Sequence, residues 1–314
     1  MSKYSVIAEY IRSARSVALV CHINPDGDTL GSANALRLAL RDKAQILCDD
    51  SIPAKYVHLN IQRYNIGSGT DCDLYIFVDC SSRHVAGSVF DRIPDTVKRV
   101  VIDHHKTNEL QCDASLIDSN RSSTAEIVFD LLEHMNLAIT REMAESLYTA
   151  LITDNGMFSY GYTTPEAHIT ASKLLALGVD FQRIANRHFK MRTLQQTMLI
   201  KEMLSHIKVY EDVAVSYLAA EDMARYHADI SETESLVNYL IEIDVINIAV
   251  FLRQIGADEY KVSFRSKTTY DVSALASLFG GGGHAQASGC MVRGSSIDDV
   301  TKLILEEINN IKAP

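Results

Sequence analysis

The sequence predicts an α/β protein in two parts, a parallel-sheet domain with flanking helices followed by a smaller α+β domain. Three observations lead there. The chain has 314 residues, roughly twice the ~150-residue prior for one domain. In the first half, short apolar runs alternate with helical patterns, as strand–helix units of a parallel sheet do. In the second half the order changes to long β-rich runs with short helical patterns between them.

Residues 17–21 (Val-Ala-Leu-Val-Cys) form an apolar run long enough for a buried parallel strand and too short for a helix. Residues 29–41 then place Leu30, Ala33, Leu36 and Leu40 at helical spacing. Further strand candidates follow at 74–78 and 100–102, with helical patterns at 124–135, 142–152 and 165–177. The last has Pro165 in its first turn and Gly178 just past its end, as helix punctuation predicts. Residues 181–207 read as one long, polar helical stretch containing the domain junction. Beyond it come a strand at 213–218, helices at 221–226 and 232–243, and β-rich runs at 245–254 and 260–265. A short helix at 272–279, the glycine run 280–283, a strand at 287–292 and a closing helix at 297–311 complete the order.

Composition narrows the function classes. With 47% hydrophobic and 22% charged residues, the chain has ample material for a core in each half. Lys and Arg number 30 against 40 Asp and Glu, a net charge of −10. Proteins that hold long duplex DNA by counterion release present a basic surface, so long duplex DNA is not an expected partner. An acidic chain takes anionic substrates where divalent cations bridge the repulsion. The six cysteines make no CxxC pair and are expected as buried, reduced thiols of a cytoplasmic protein. The N-terminus has no uninterrupted apolar region, and no stretch reaches the ~18 apolar residues of a membrane span.

Four segments place carboxylates or imidazoles directly after apolar text. They are His22-Ile23-Asn24-Pro25-Asp26-Gly27-Asp28, then Asp79-Cys80-Ser81-Ser82, then Asp103-His104-His105, then Asp154-Asn155-Gly156. Each alone is weak. An Asp before two serines also suits a helix N-cap, adjacent histidines suit a surface, and Pro-Asp-Gly-Asp suits a plain turn. Together they are strong, because three of the four close strands, where ligands of open parallel sheets collect. Asp26, Asp28, Asp79 and Asp154 would bring four negative charges into one crevice and raise one another's pKa. Two divalent ions would balance them. Carboxylate and imidazole donors without thiolate suit Mn²⁺ or Mg²⁺, with Fe²⁺ or Co²⁺ also compatible.

The run Gly280-Gly281-Gly282-Gly283-His284 is the other unusual text. It lacks the Gly-Lys-Ser/Thr of a phosphate loop and is followed by a strand, not a long helix. A nest of backbone N–H groups with His284 at its lip would hold a phosphate or a sugar edge. Arg265, ending a strand, is the matching candidate for a bidentate phosphate grip.

On these residues the sequence resembles the DHH phosphoesterase superfamily over nearly its whole length. The naming motif stands at Asp103-His104-His105, the His-x-Asn-Pro-Asp-x-Asp motif at His22 to Asp28, and the other acidic motifs at Asp79 and Asp154. The Gly-Gly-Gly-His run with Ala287-Ser288-Gly289 resembles the DHH-associated C-terminal domain. One departure is Asn155, where relatives read Asp-Thr-Gly. The resemblance implies a DHH catalytic domain over 1–188, a helical linker over 189–208 and a DHH-associated substrate-binding domain over 209–314. It implies two divalent ions, Mn²⁺ first, one on His22, Asp26 and Asp79 and one on Asp28, Asp79, His104 and Asp154. His105 would face the scissile phosphate and Asp103 would orient an imidazole. Arg265, Gly281, Gly282, Gly283 and His284 would take the terminal nucleotide.

By size the chain is similar to the NrnA-type branch. The implied activity is a Mn²⁺-dependent exoribonuclease that degrades very short RNA to 5′-mononucleotides and dephosphorylates 3′-phosphoadenosine 5′-phosphate (pAp). The alternatives are a cyclic- or linear-dinucleotide phosphodiesterase of the same superfamily and a non-catalytic nucleotide-binding regulator. Apolar helix faces in the first domain suit a homodimer as well as a plain core.

Overall fold

A computed structural model describes residues 2–312 except 62, 65–71, 234 and 268–269. The chain divides into two compact units, Met1–Met191 and Arg192–Pro314.

The first unit is built on strands β1 (Val17–Val20), β2 (Ala44–Leu47), β3 (Arg63–Tyr64), β4 (Leu74–Val78), β5 (Lys98–Asp103) and β6 (Ala114–Ile117). They form one parallel sheet in the order β3-β2-β1-β4-β5-β6. Helices are α1 (Lys3–Ser13), α2 (Gly27–Leu40), the short α3 (Arg83–Ala86) and α4 (Val89–Arg92), α5 (Thr124–His134), α6 (Arg141–Asp154), α7 (Pro165–Ala176) and α8 (Phe181–Ala185). Both faces of the sheet are covered. Val17, Leu19, Ile76 and Val100 pack with apolar residues of α1, α2, α5 and α6. Ala18, Val20, Phe77 and Val101 pack on the other side with Ala86 and Val89. That two-sided burial explains why β1 and β4 read as unbroken apolar runs. Strand order reverses between β1 and β4, the switch point at which open α/β sheets bind ligands.

Two glycines set how closely the central helices meet. A Cβ built on Gly27 would lie 2.0 Å from Thr153 Oγ1, and one on Gly31 would lie 2.3 Å from the main-chain oxygen of Ser146. The start of α2 therefore packs against the last two turns of α6 with no side chain between, which brings Asp28 and Asp154 to the same end of the helix pair. Gly31→Ala forces backbone to move. We expect it to cost about 2–3 kcal/mol, within the overpacking range, read as a lowered urea midpoint with unchanged m value.

The expected single helix over 181–207 is broken. A π-helical turn, Asn186–Lys190, follows α8. A new helix, α9 (Leu194–Ser205), then starts where the Thr193 side chain accepts from Gln196 N and buries Leu199 and Met203 in the second unit.

The second unit holds β7 (Lys208–Tyr210), β8 (Val213–Leu218), β9 (Ile248–Gln254), β10 (Glu259–Ser266), β11 (Gly282–His284) and β12 (Ala287–Arg293). Their order is β11-β12-β10-β9-β8-β7, with only the β8–β9 pair parallel among the described pairs. The helices are α9, α10 (Ala220–Arg225), α11 (Asn238–Ile241), α12 (Val272–Leu278) and α13 (Ile297–Lys312). Helices α12 and α13 cover one face through Val272, Leu275, Ile304 and Ile308. The helix expected over 232–243 is split into a 3₁₀ turn, Ile230–Thr233, and α11. Ser235 holds φ 65°, a left-handed conformation that ends helical pairing.

Candidate metal centre

The four acidic segments converge at the switch point of the parallel sheet. Cys21 and His22 follow β1, Asp79 follows β4, Asp103 ends β5 with His104 and His105 after it, and Asp154 ends α6. Ligand-bearing atoms of His22, Asp26 and Asp79 lie within 4.8 Å of one another, as do those of Asp28, His104 and Asp154, and those of Asp79, His104 and His105. His22 Nε2 is 3.5 Å from Asp26 and 3.7 Å from Asp79. His104 Nε2 is 3.4 Å from Asp154, 3.7 Å from Asp79 and 4.0 Å from Asp28. Asp79 thus stands between the two sets.

Local structure aims each donor. Asp79 adopts φ 60°, a left-handed conformation that costs a non-glycine residue on the order of 1–3 kcal/mol and marks functional positions. Its main-chain N–H donates to Ile102 O at 2.9 Å, which secures the turn after β4. Asp26 caps α2 by accepting from Asp28 N and Thr29 N. His22 Nδ1 lies 2.7 Å from Ile23 O and His104 Nδ1 lies 3.2 Å from Arg121 O. A carbonyl only accepts, so each Nδ1 carries its proton there and each Nε2 is the nitrogen that would meet a cation, which displaces any proton on it.

The first turn of α5 steadies two of the carboxylates. Asp28 accepts from Thr124 N at 2.6 Å and from Ala125 N at 3.0 Å, and Thr124 Oγ1 donates to Asp79 at 2.8 Å. The sequence reading missed Thr124, and only its place at the start of the 124–135 helical pattern hinted at it. Asn108, also missed, donates to Asp103 at 2.5 Å and carries no sequence signal. Asp103 is fully buried and accepts from His105 Nδ1 at 2.8 Å and from His104 N at 2.8 Å. It therefore orients His105 and is not itself among the gathered ligand atoms.

The electrostatics are those of buried, crowded carboxylates interleaved with imidazoles. Burial, then the charge of Asp79, pushes the carboxyls of Asp28 and Asp154 well up. Burial, then the charge of Asp26, raises Asp79 to about 6. Burial works against protonation of His22, yet the bond to Asp26 and the charges of Asp26 and Asp79 carry it to about 9. The hydrogen bond to Asp103 leads in raising His105 to about 9.

These residues fit a pair of divalent cations. Asp154 Oδ2 is buried and accepts no hydrogen bond from the described residues, a state that costs free energy unless something positive meets it. Neighbouring thiols do not compete, since burial pushes Cys21 and Cys80 well above the usual thiol range and keeps both protonated. The donors are then carboxylate and imidazole only, a set for moderately hard divalent ions and not for thiolate-bound zinc.

In the second unit, Arg265 lies on β10 and pairs with Ala287, which in turn pairs with His284. Arg265 and His284 therefore occupy one row across three strands. The side chain of His284 lies outside the described residues. The glycine run is neither a linker nor a simple nest. The Gly280 and Gly281 N–H groups end α12 by donating to Ser277 O and Ala276 O. Gly281 and Gly283 are required sterically, since a Cβ there would lie 2.2 Å from Gly289 O and 2.5 Å from Ala287 O. Gly282 faces open space.

No helix among the described residues is long and apolar enough to cross a membrane. Residues 16–151 match the DHH family, N-terminal domain, and residues 211–310 match the DHHA1 domain. The chain is 26% identical to the bifunctional oligoribonuclease and PAP phosphatase NrnA of Thermus thermophilus, over 98% of this chain and 93% of that protein. It is 25% identical to the Bacillus subtilis protein of the same name, over 88% and 89%. A crystal structure of an exopolyphosphatase-related protein from Bacteroides fragilis superposes with a TM-score of 0.90 at 26% identity, covering 99% of this chain and 98% of that one. The DHH motif with the acidic segments around it and the two matching domains lead to one conclusion: the chain joins an N-terminal domain of the DHH family to a DHHA1 domain and is a hydrolase of phosphoester bonds.

Proposed function

We propose that the protein is a Mn²⁺-dependent exoribonuclease of very short RNA that releases 5′-mononucleotides and also removes the 3′-phosphate of pAp. The observation that carries the reading is the gathering of His22, Asp26, Asp28, Asp79, His104 and Asp154 into two adjoining sets of ligand atoms. The two NrnA relatives, which bear that pair of activities in their names, support the choice of substrate.

His22, Asp26 and Asp79 would hold one cation, and Asp28, His104 and Asp154 a second, with Asp79 reaching both. Bound there, the ions supply Lewis acidity and water of lowered pKa. The chain's own residues do the rest. Asp103 fixes the ring of His105 through Nδ1, and Nε2 would be the nitrogen that offsets charge on a phosphoryl oxygen and gives a proton to the departing 3′ oxygen. In the second unit, Arg265 and the stretch Gly281, Gly282, Gly283 and His284 would bind the substrate's phosphate and sugar, the Gly281 N–H itself being given to Ala276 O.

The test is a parallel panel with Mn²⁺: an RNA dimer and pentamer, pAp, a cyclic dinucleotide and inorganic pyrophosphate. Turnover of the RNA dimer and pAp is expected. Fast turnover of pyrophosphate or of the cyclic dinucleotide alone would overturn the reading. Arg265→Ala should raise KM for the RNA dimer about tenfold with kcat little changed, the pattern of a lost charge-assisted bond made equally before and during reaction.

A further inference from the structure

The turn after Asp154 is strained and tightly built. Met157 and Phe158 hold φ 56° and 64° in succession, a left-handed pair that persists only where the surroundings enforce it. The enforcement is visible in the hydrogen bonds. Met157 N donates to Ile152 O at 2.8 Å, Phe158 N to Asn155 Oδ1 at 2.9 Å and Tyr160 N to Asn155 O at 3.2 Å. Thus Asn155, the departure noted from the Asp-Thr-Gly pattern, is fully buried and serves as the knot of this turn. Phe158 stacks on His168 of α7, with ring centroids 4.6 Å apart.

What the turn displays is a pair of aromatic rings. Tyr160 and Tyr162 stand with centroids 5.8 Å apart and interplanar angle 48°, exposed by 49% and 52%. The Tyr162 hydroxyl donates to the main-chain oxygen of Asp154 at 2.7 Å. The hydroxyl end of Tyr160 lies against Gly156, where an added Cβ would meet the ring at 2.5 Å. Asp154 is already placed by α6, so positioning that ligand does not require two displayed tyrosines on a strained turn.

Resting on the reading of a nucleotide substrate, we propose that Tyr160 stacks on a base of the substrate whose phosphate is held at the cation site, with Tyr162 bordering that base. The tilt between the rings prevents both from stacking in parallel on one base, and the Tyr162 hydroxyl is tied to Asp154, so Tyr160 supplies the face. Every base presents such a face, and a platform of this kind is tolerant of sequence. It selects nucleotides over other phosphoesters.

The experiment is a cycle of KM values for an RNA dimer and its abasic analogue, measured on the wild type, Tyr160→Ala and Tyr160→Phe. In the wild type, removal of the base should raise KM about tenfold, within the range for base–aromatic stacking. In Tyr160→Ala that penalty should nearly vanish while the KM for the dimer rises to meet it, and Tyr160→Phe should restore the wild-type pattern. Equal base penalties in wild type and Tyr160→Ala would overturn the platform. So would a fall in kcat with unchanged KM.

A second readout separates this from failure of the nuclease reading. The chain has no tryptophan, so Tyr160→Trp places a single indole on the turn. Quenching of its fluorescence by adenosine 5′-monophosphate and not by ribose 5-phosphate supports stacking whether or not the dimer is hydrolysed. No difference between the two ligands would overturn it.

Discussion

Asp79→Asn should abolish turnover and halve or eliminate cation binding while making the cation-free protein more stable. The kinetic loss is expected at about 10³-fold or more, since a centre of this kind contributes several kcal/mol to transition-state stabilisation and each 1.36 kcal/mol is tenfold. The reason is geometric. Asp79 is the carboxylate within reach of both His22 and His104, so one substitution weakens both ligand sets. The stability gain has a separate cause. Asp79 is 4% exposed, and its charge is a leading cause of the raised carboxyls at Asp28 and Asp154. An amide relieves that repulsion and still accepts the Thr124 hydroxyl. Metal content by equilibrium dialysis, kcat, and the melting temperature in chelator check the three parts. Retained turnover with full metal content would remove Asp79 from its bridging position.

Stability should respond to divalent cations strongly, and more so as pH rises. Asp28, Asp79 and Asp154 have folded-state pKa values above their unfolded ones, with Asp79 at about 6. Their contribution to the stability of the cation-free protein is therefore present at acid pH and lost as pH rises through the folded values. His22 and His105, raised to about 9, act in the same direction at higher pH. Asp26 and Asp103, lowered by His22 and His105 despite their burial, act oppositely, and their contribution is lost only at strongly acid pH. Cations compete with these protons. At 100 times Kd each ion adds about 2.7 kcal/mol, so two ions add about 5 kcal/mol. For a unit of this size that corresponds to a rise in Tm of about 10–20 °C. Scanning calorimetry with and without Mn²⁺ should show this rise at pH 7.5 and a much smaller one at pH 5. An equal rise at both would mean that the ions bind elsewhere.

Much of the first unit was legible because its central strands are buried on both faces and so appear as uninterrupted apolar text. The four acidic segments were legible for a related reason, since each begins where such text stops. Asp154 was placed at a helix end from the pattern before it, and α6 does end there. What escaped is polar or short. Strand β2 begins Ala44-Gln45 with both residues half-buried, and β6 is buried only at Leu116. The split of the 232–243 helix turns on one backbone angle at Ser235, which composition does not reveal. Gly27 and Gly31 were visible as letters, but their spacing mattered only once α6 was known to lie against them. Gly281 and Gly283 were noticed as unusual, and much of their reason is steric: the backbone of β12 presses on both.

The hydrogen bonds from Thr124 and Ala125 join Asp28 and Asp79, two carboxylates of the candidate centre drawn from either side of the switch point, to the first turn of α5. Residues along α5 that never approach a cation can therefore tune affinity and reactivity together, by sliding or tilting that mooring a few tenths of an ångström. Variation in the strength of the candidate centre should accumulate along α5 as readily as among the gathered carboxylates and imidazoles themselves.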